Sequence, residues 1–261
     1  MARAVSTVLD VSICLLLVGV AVTTLVLAVP EKSETSRIER DTTATSLGTV
    51  TASIPVADDR QAHDTLAGHL AAAAIVDASI DGERMGSSTY PDAVRRTVRG
   101  DTAGRTHITA RWRPYPNSPL QGRLTVGPEP PSTAEVSATR WTIDSGLPEP
   151  KPDHSFEAIA TAVSTAYIKW LFPPERTHAA LVDSRTARST AARYRAVAET
   201  LDVDLDDLIA DASPRRANER LASALADRLQ PDLRATHESP DGVATNATAS
   251  DVELVVRRWE R

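Results

Sequence analysis

"GLPEPKPD" occupies residues 146–153 and divides the chain. Its three prolines and leading glycine break any regular element, and the residue pattern changes across it. Upstream, Leu47–Val56, Thr106–Arg113, Gly122–Val126 and Glu135–Asp144 are rich in β-branched residues, with Trp112 and Trp141 in two of them. They predict strands. Between the first two, the Ala-rich Ala62–Ile80 predicts a helix, while "YPNSPLQG" (115–122) and "GPEPPS" (127–132) predict turns.

Downstream the period lengthens. Ser155 is a candidate cap for a helix that carries Phe156, Ile159, Ala160, Val163, Tyr167, Trp170 and Leu171 on one face. Pro173-Pro174 ends it and starts a second helix reaching Thr200. Ser213-Pro214 opens a third, with Leu221, Ala224, Leu225 and Leu229 on one stripe. Arg234–Ser250 reads as a polar loop, and "VELVVRRW" (252–259) as a closing strand paired back into the sheet. The expected fold class is α+β: an antiparallel sheet domain over residues 47–261, with strands over 47–145, a helical insertion over 155–230 and the closing strand over 251–259.

The 261 residues carry a net charge of −6, which argues against a nucleic-acid binder held by bulk positive charge. Only Lys32, Lys151 and Lys169 among the 29 basic residues are lysine. That arginine-rich, Ala-, Val-, Thr- and Asp-rich usage is common in high-GC genomes such as those of haloarchaea. Cys14 is the sole cysteine, so neither an intramolecular disulfide nor a cysteine-built zinc site can form.

The titratable residues fall into no catalytic pattern. His63, His69, His107, His154, His178 and His237 include no HExxH pair. "DVDLDD" (202–207) spaces Asp202, Asp204 and Asp206 like the first ligands of a calcium loop. Its sixth and twelfth positions, Asp207 and Ser213, are not the Gly and Glu that loop needs, so a charged helix cap is the simpler reading. No residue is nominated as catalytic, cofactor-binding or metal-ligating, no cofactor is implied, and no small-molecule ligand is identifiable. Arg215, Arg216, Asn218 and Arg220 begin a helix after tight turns, a profile shared with helix-turn-helix readers, but the five aspartates before it would repel phosphate.

At the other end of the chain, Val11–Val29 holds 19 residues without a charge, twelve of them Val, Ile or Leu. Those twelve contribute about −4 to −7 kcal/mol toward bilayer insertion. Residues 1–30 therefore predict a single transmembrane helix, followed by a polar stalk over 31–46. Alternatives are a signal peptide cut after Ala28 or a plain anchor. The flanking charges, Arg3 before and Lys32, Arg37 and Arg40 after, lean toward a cytoplasmic domain. The sequon Asn246-Ala247-Thr248, a possible glycosylation site, leans toward an extracytoplasmic one.

"RAVSTVLDVSICLLLVGVAV" (3–22) resembles the N-terminus of haloarchaeal type IV pilin-like and pseudopilin-like membrane proteins. The resemblance covers about the first 28 residues and implies processing between Arg3 and Ala4 and export of the following domain. It also implies an assembly role for Asp10, opposite a neighbouring subunit's free amine. The simpler reading of Asp10 is a helix N-cap at headgroup level. The expected protein is thus non-enzymatic and single-pass: a minor pilin-like or accessory component of a surface filament or secretion apparatus, its partners membrane lipid and other pilin-like subunits. The alternatives are a membrane-tethered cytoplasmic regulator using the Asp202–Leu229 helices, and an exported protein of other activity.

Overall fold

The computed structural model describes residues 43–57, 60–102, 104–148, 155–246 and 249–260. The transmembrane expectation for 1–30, the stalk up to residue 42, and Arg3, Ala4 and Asp10 lie outside them. Among the described residues no helix is long and apolar enough to cross a membrane.

The fold is α+β, with antiparallel sheets and several helices. Residues 43–49 form a helical stretch (α1), followed by a hairpin of β1 (Thr51–Ala57) and β2 (Arg60–Thr65). Then come α2 (Leu66–Val76), the short β3 (Ser79–Ile80) and β4 (Glu83–Arg84), and α3 (Thr89–Asp101). Next are β5 (Thr106–Trp112), β6 (Leu120–Val126) and β7 (Val136–Asp144). A helical run follows: α4 (Phe156–Leu171), α5 (Pro174–Val182), α6 (Ala187–Leu201), α7 (Asp206–Ala210), α8 (Pro214–Thr236) and α9 (Pro240–Asn246). Last is β8 (Asp251–Trp259).

The main sheet has six strands in the order β4-β3-β6-β5-β8-β7, and every pair is antiparallel. The closing strand does pair back into the sheet, between β5 and β7 rather than at an edge. Its inward positions Val252, Leu254 and Val256 lie opposite Trp112, Ala110 and Ile108 of β5, and all six are buried. Against that face lies α2, apolar almost all round, as a helix buried between layers must be. Gly122 lets it approach: a Cβ there would lie 2.0 Å from the Ala74 carbonyl oxygen.

Several expectations are corrected. The strand expected over Leu47–Val56 is a helix to residue 49 and a strand only from Thr51, since Leu47 turns into the core. The helix expected over Ala62–Ile80 begins at Leu66. Residues 60–65 are drawn into the hairpin by β1, and the Thr65 hydroxyl then caps α2 by accepting from Gly68 N at 3.0 Å. The second downstream helix does not run to Thr200 unbroken. At 183–186 the Asp183 carboxylate accepts from Arg185 N at 3.0 Å, and this Asx turn separates α5 from α6. Arg234–Ser250 is not one continuous loop: α8 continues through Pro231 to Thr236 because Leu229 and Leu233 extend its buried stripe, and α9 follows over Pro240–Asn246.

Candidate functional site

The helical run builds a cleft of about 820 Å³ between α4 and α8 with the start of α5 at one end. The two helices run antiparallel, since the end of α4 meets the start of α8. Ser155 caps α4 as expected, its hydroxyl accepting from Ala158 N at 3.1 Å. Small side chains, Ala160, Ala222, Ser223 and Ala226, lie along the cleft, with Glu157, Lys169, Glu219 and Asp227 among its charged lining. At its α5 end Arg215 Nη2 reaches Glu175 Oε1 at 2.5 Å, both side chains largely exposed.

One end of the cleft is fixed by a hub in which Asn218 is the central group. Tyr194 Oη donates to Asn218 Oδ1 at 2.7 Å, and Asn218 Nδ2 donates to the Phe172 carbonyl at 2.7 Å. The rings of Phe172 and Tyr194 stack at 4.0 Å, and the Arg193 guanidinium lies 5.3 Å from the Phe172 ring centre. Burial holds the Tyr194 phenol well above its ordinary pKa, so it stays a donor. On α4, the fully buried Ser164 hydroxyl has no hydrogen-bond partner among the described residues.

Each described histidine makes a hydrogen bond. His69, on α2 and buried, joins three elements: Nε2 lies 3.0 Å from the Ala52 carbonyl and Nδ1 2.8 Å from Tyr90 Oη. A carbonyl only accepts, so in the neutral ring Nε2 carries the proton and Nδ1 accepts from the tyrosine. His63, on β2 rather than a helix, bonds Ser53 Oγ at 2.6 Å. His107, His178 and His237 each contact a backbone carbonyl, of Pro128, Ala212 and Pro116. His154 lies outside the described residues.

Asp204 acts at a helix start: its carboxylate accepts from Asp206 N at 2.9 Å, and Asp206 pairs with Arg195 Nε at 2.9 Å. Among the described residues no group of three or more His, Cys, Asp or Glu side chains converges as metal ligands would. Of the four residues in the helix-turn-helix reading, Arg215 is held by Glu175 and Asn218 is buried in the hub. Asn246 ends α9, while Ala247 and Thr248 of its sequon lie outside the described residues.

The sequence missed a second polar site at the C-terminus of α2. The Asp77 carboxylate is almost fully buried and takes Arg95 Nη2 at 2.6 Å and Arg84 Nε at 3.0 Å, while Arg95 also holds Asp92. It ties α2 to α3 and β4. A "DG" at 81–82, where both residues have positive φ, was the available signal for the hairpin that delivers Arg84.

The match to known families covers nearly all of this fold: residues 9–259 fit the family of unknown function DUF7284. The chain belongs to that family. Neither a curated protein nor a solved structure matches it.

Proposed function

We propose that this member of the family is a non-enzymatic, single-pass membrane protein with an extracytoplasmic α+β domain. It serves as a minor pilin-like or accessory component of a surface filament or secretion apparatus. The observation that carries the reading is the 19-residue uncharged run of Val11–Val29, ahead of a folded domain that begins by residue 43. The architecture supports it. The buried polar groups Asn218, His69 and Asp77 join elements of the fold to one another.

The test is a fractionation of cells followed by protease treatment from outside and mass spectrometry of the chain's N-terminus. The expected chain resists carbonate washing, loses its domain to external protease and co-purifies with a filament or secretion assembly. A start at Ala4 identifies pilin-type processing. A chain released by carbonate, or a domain protected from the protease, overturns the proposal.

A further inference from the structure

The two edges of the six-stranded sheet differ. One ends in β4, two residues long, the short edge that proteins use to prevent strand addition. The other ends in β7, nine residues without proline, in unbroken register with β8 from Val136↔Trp259 to Asp144↔Asp251. Among the described residues β7 pairs on that one side alone, so its outer edge offers backbone donors and acceptors in an extended row. No residue of β7 is buried, although Trp141 and Ile143 pack against the core. Among the described residues the apolar layer therefore runs out to this edge with no element over it.

We propose that the β7 edge pairs with β7 of a second copy of this chain, antiparallel, joining the two sheets into one. This does not rest on the membrane reading above. Charge narrows the register. Pairing centred on Arg140 would set two arginines opposite each other, and centring on Asp144 would oppose two carboxylates, which is unfavourable for cross-strand neighbours. Centring on Thr142 places Arg140 opposite the other copy's Asp144, twice by symmetry, and Thr142 opposite Thr142. On the core side the same register sets Trp141 against Ile143 of the other copy, an aromatic with a β-branched residue, and so covers both exposed flanks. Arg140 is free to make this contact: Nε is taken by Glu253 at 2.6 Å, the side chain is 69 % exposed, and its terminal nitrogens have no partner among the described residues.

The test uses the full chain as isolated, whether from membranes or from solution, with its one cysteine removed (Cys14→Ser) and Thr142→Cys introduced. Directly opposed antiparallel positions bring Cα atoms to about 4.5–5.5 Å, within disulfide reach. Mild oxidation is expected to give a disulfide dimer of T142C in at least about fivefold excess over a Val182→Cys control, whose site is 66 % exposed on α5. Adding Asp144→Arg is expected to lower the T142C dimer about fivefold by setting arginine against arginine. A T142C thiol that reacts with a soluble maleimide but gives no excess dimer overturns the proposal. So does a dimer undiminished by Asp144→Arg, or crosslinking of T142C to a different protein, which would make the edge a site for another strand donor.

Discussion

Where α2 meets the sheet, the contact is backbone against backbone, with Gly122 facing the Ala74 carbonyl and alanines filling the gap. Where α4, α6 and α8 meet, large rings and one amide carry the contact: Phe172, Tyr194 and Asn218. The first arrangement fails when volume is added and the second when a polar partner is removed. Trp112 couples the two layers. Its ring stacks on Tyr167 of α4 at 5.3 Å, and its Nε1 donates to the Ala249 carbonyl just before β8.

The harshest challenge to that coupling is alkali. All four tyrosines are held above their ordinary pKa chiefly by burial, Tyr90 and Tyr115 on the sheet side, Tyr167 at the junction and Tyr194 in the hub. Folded values above unfolded ones mean that the folded chain retains protons the unfolded chain loses. Stability is then intact below about pH 10 and falls as pH rises beyond it. Tyrosinate absorbance and circular dichroism should change together in one transition. Two separate transitions would show that the layers unfold independently.

Gly122→Val should be the most damaging single change, costing about 3 kcal/mol by urea denaturation, because the atom it meets is backbone and cannot swing away. A loss under about 1 kcal/mol would mean that α2 is less tightly laid on β6 than described. Asn218→Ala should cost about 2 kcal/mol by stranding the Tyr194 hydroxyl and the Phe172 carbonyl. Tyr194→Phe in the same chain should recover part of that, and full additivity of the two would deny the hub its shared bond. Ser155→Ala should cost about 1 kcal/mol as a lost helix cap. At the bottom of the series, Arg215→Ala should change stability by less than about 0.5 kcal/mol, since the ion pair with Glu175 is solvent-exposed.

Much of the fold was readable where local and tertiary preferences agree. β5, β6, β7 and β8 follow their β-branched residues, and Ser155 and Ser213-Pro214 mark the starts of α4 and α8. Reading failed where pairing partners decided. Residues 60–65 extend because β1 lies beside them, although the composition around them favours helix. α3 went unread because "TYPDAVRRTVRGD" looks polar and turn-like, although Tyr90, Val94 and Val98 form a buried stripe at helical spacing. α8 passes Pro231 since a packed stripe outweighs one missing hydrogen bond. Of the cleft and the hub, Asn218 was visible only as an amide in a basic run. Its partners Phe172 and Tyr194 stand 46 and 24 residues away, a distance that local pattern does not bridge.

The central place of β8 also sets a schedule. β5 is made early, yet the strand that separates it from β7 comes 139 residues after Trp112 (251 − 112). At about 5–20 residues per second, roughly 7–28 seconds of synthesis pass before β8 exists. Until then β7 has no neighbour, and β5, paired on one side with β6, stands open on the other. A ribosome-bound chain truncated before residue 251 should therefore be more protease-sensitive over 106–144 than the finished one, and in greater need of a chaperone.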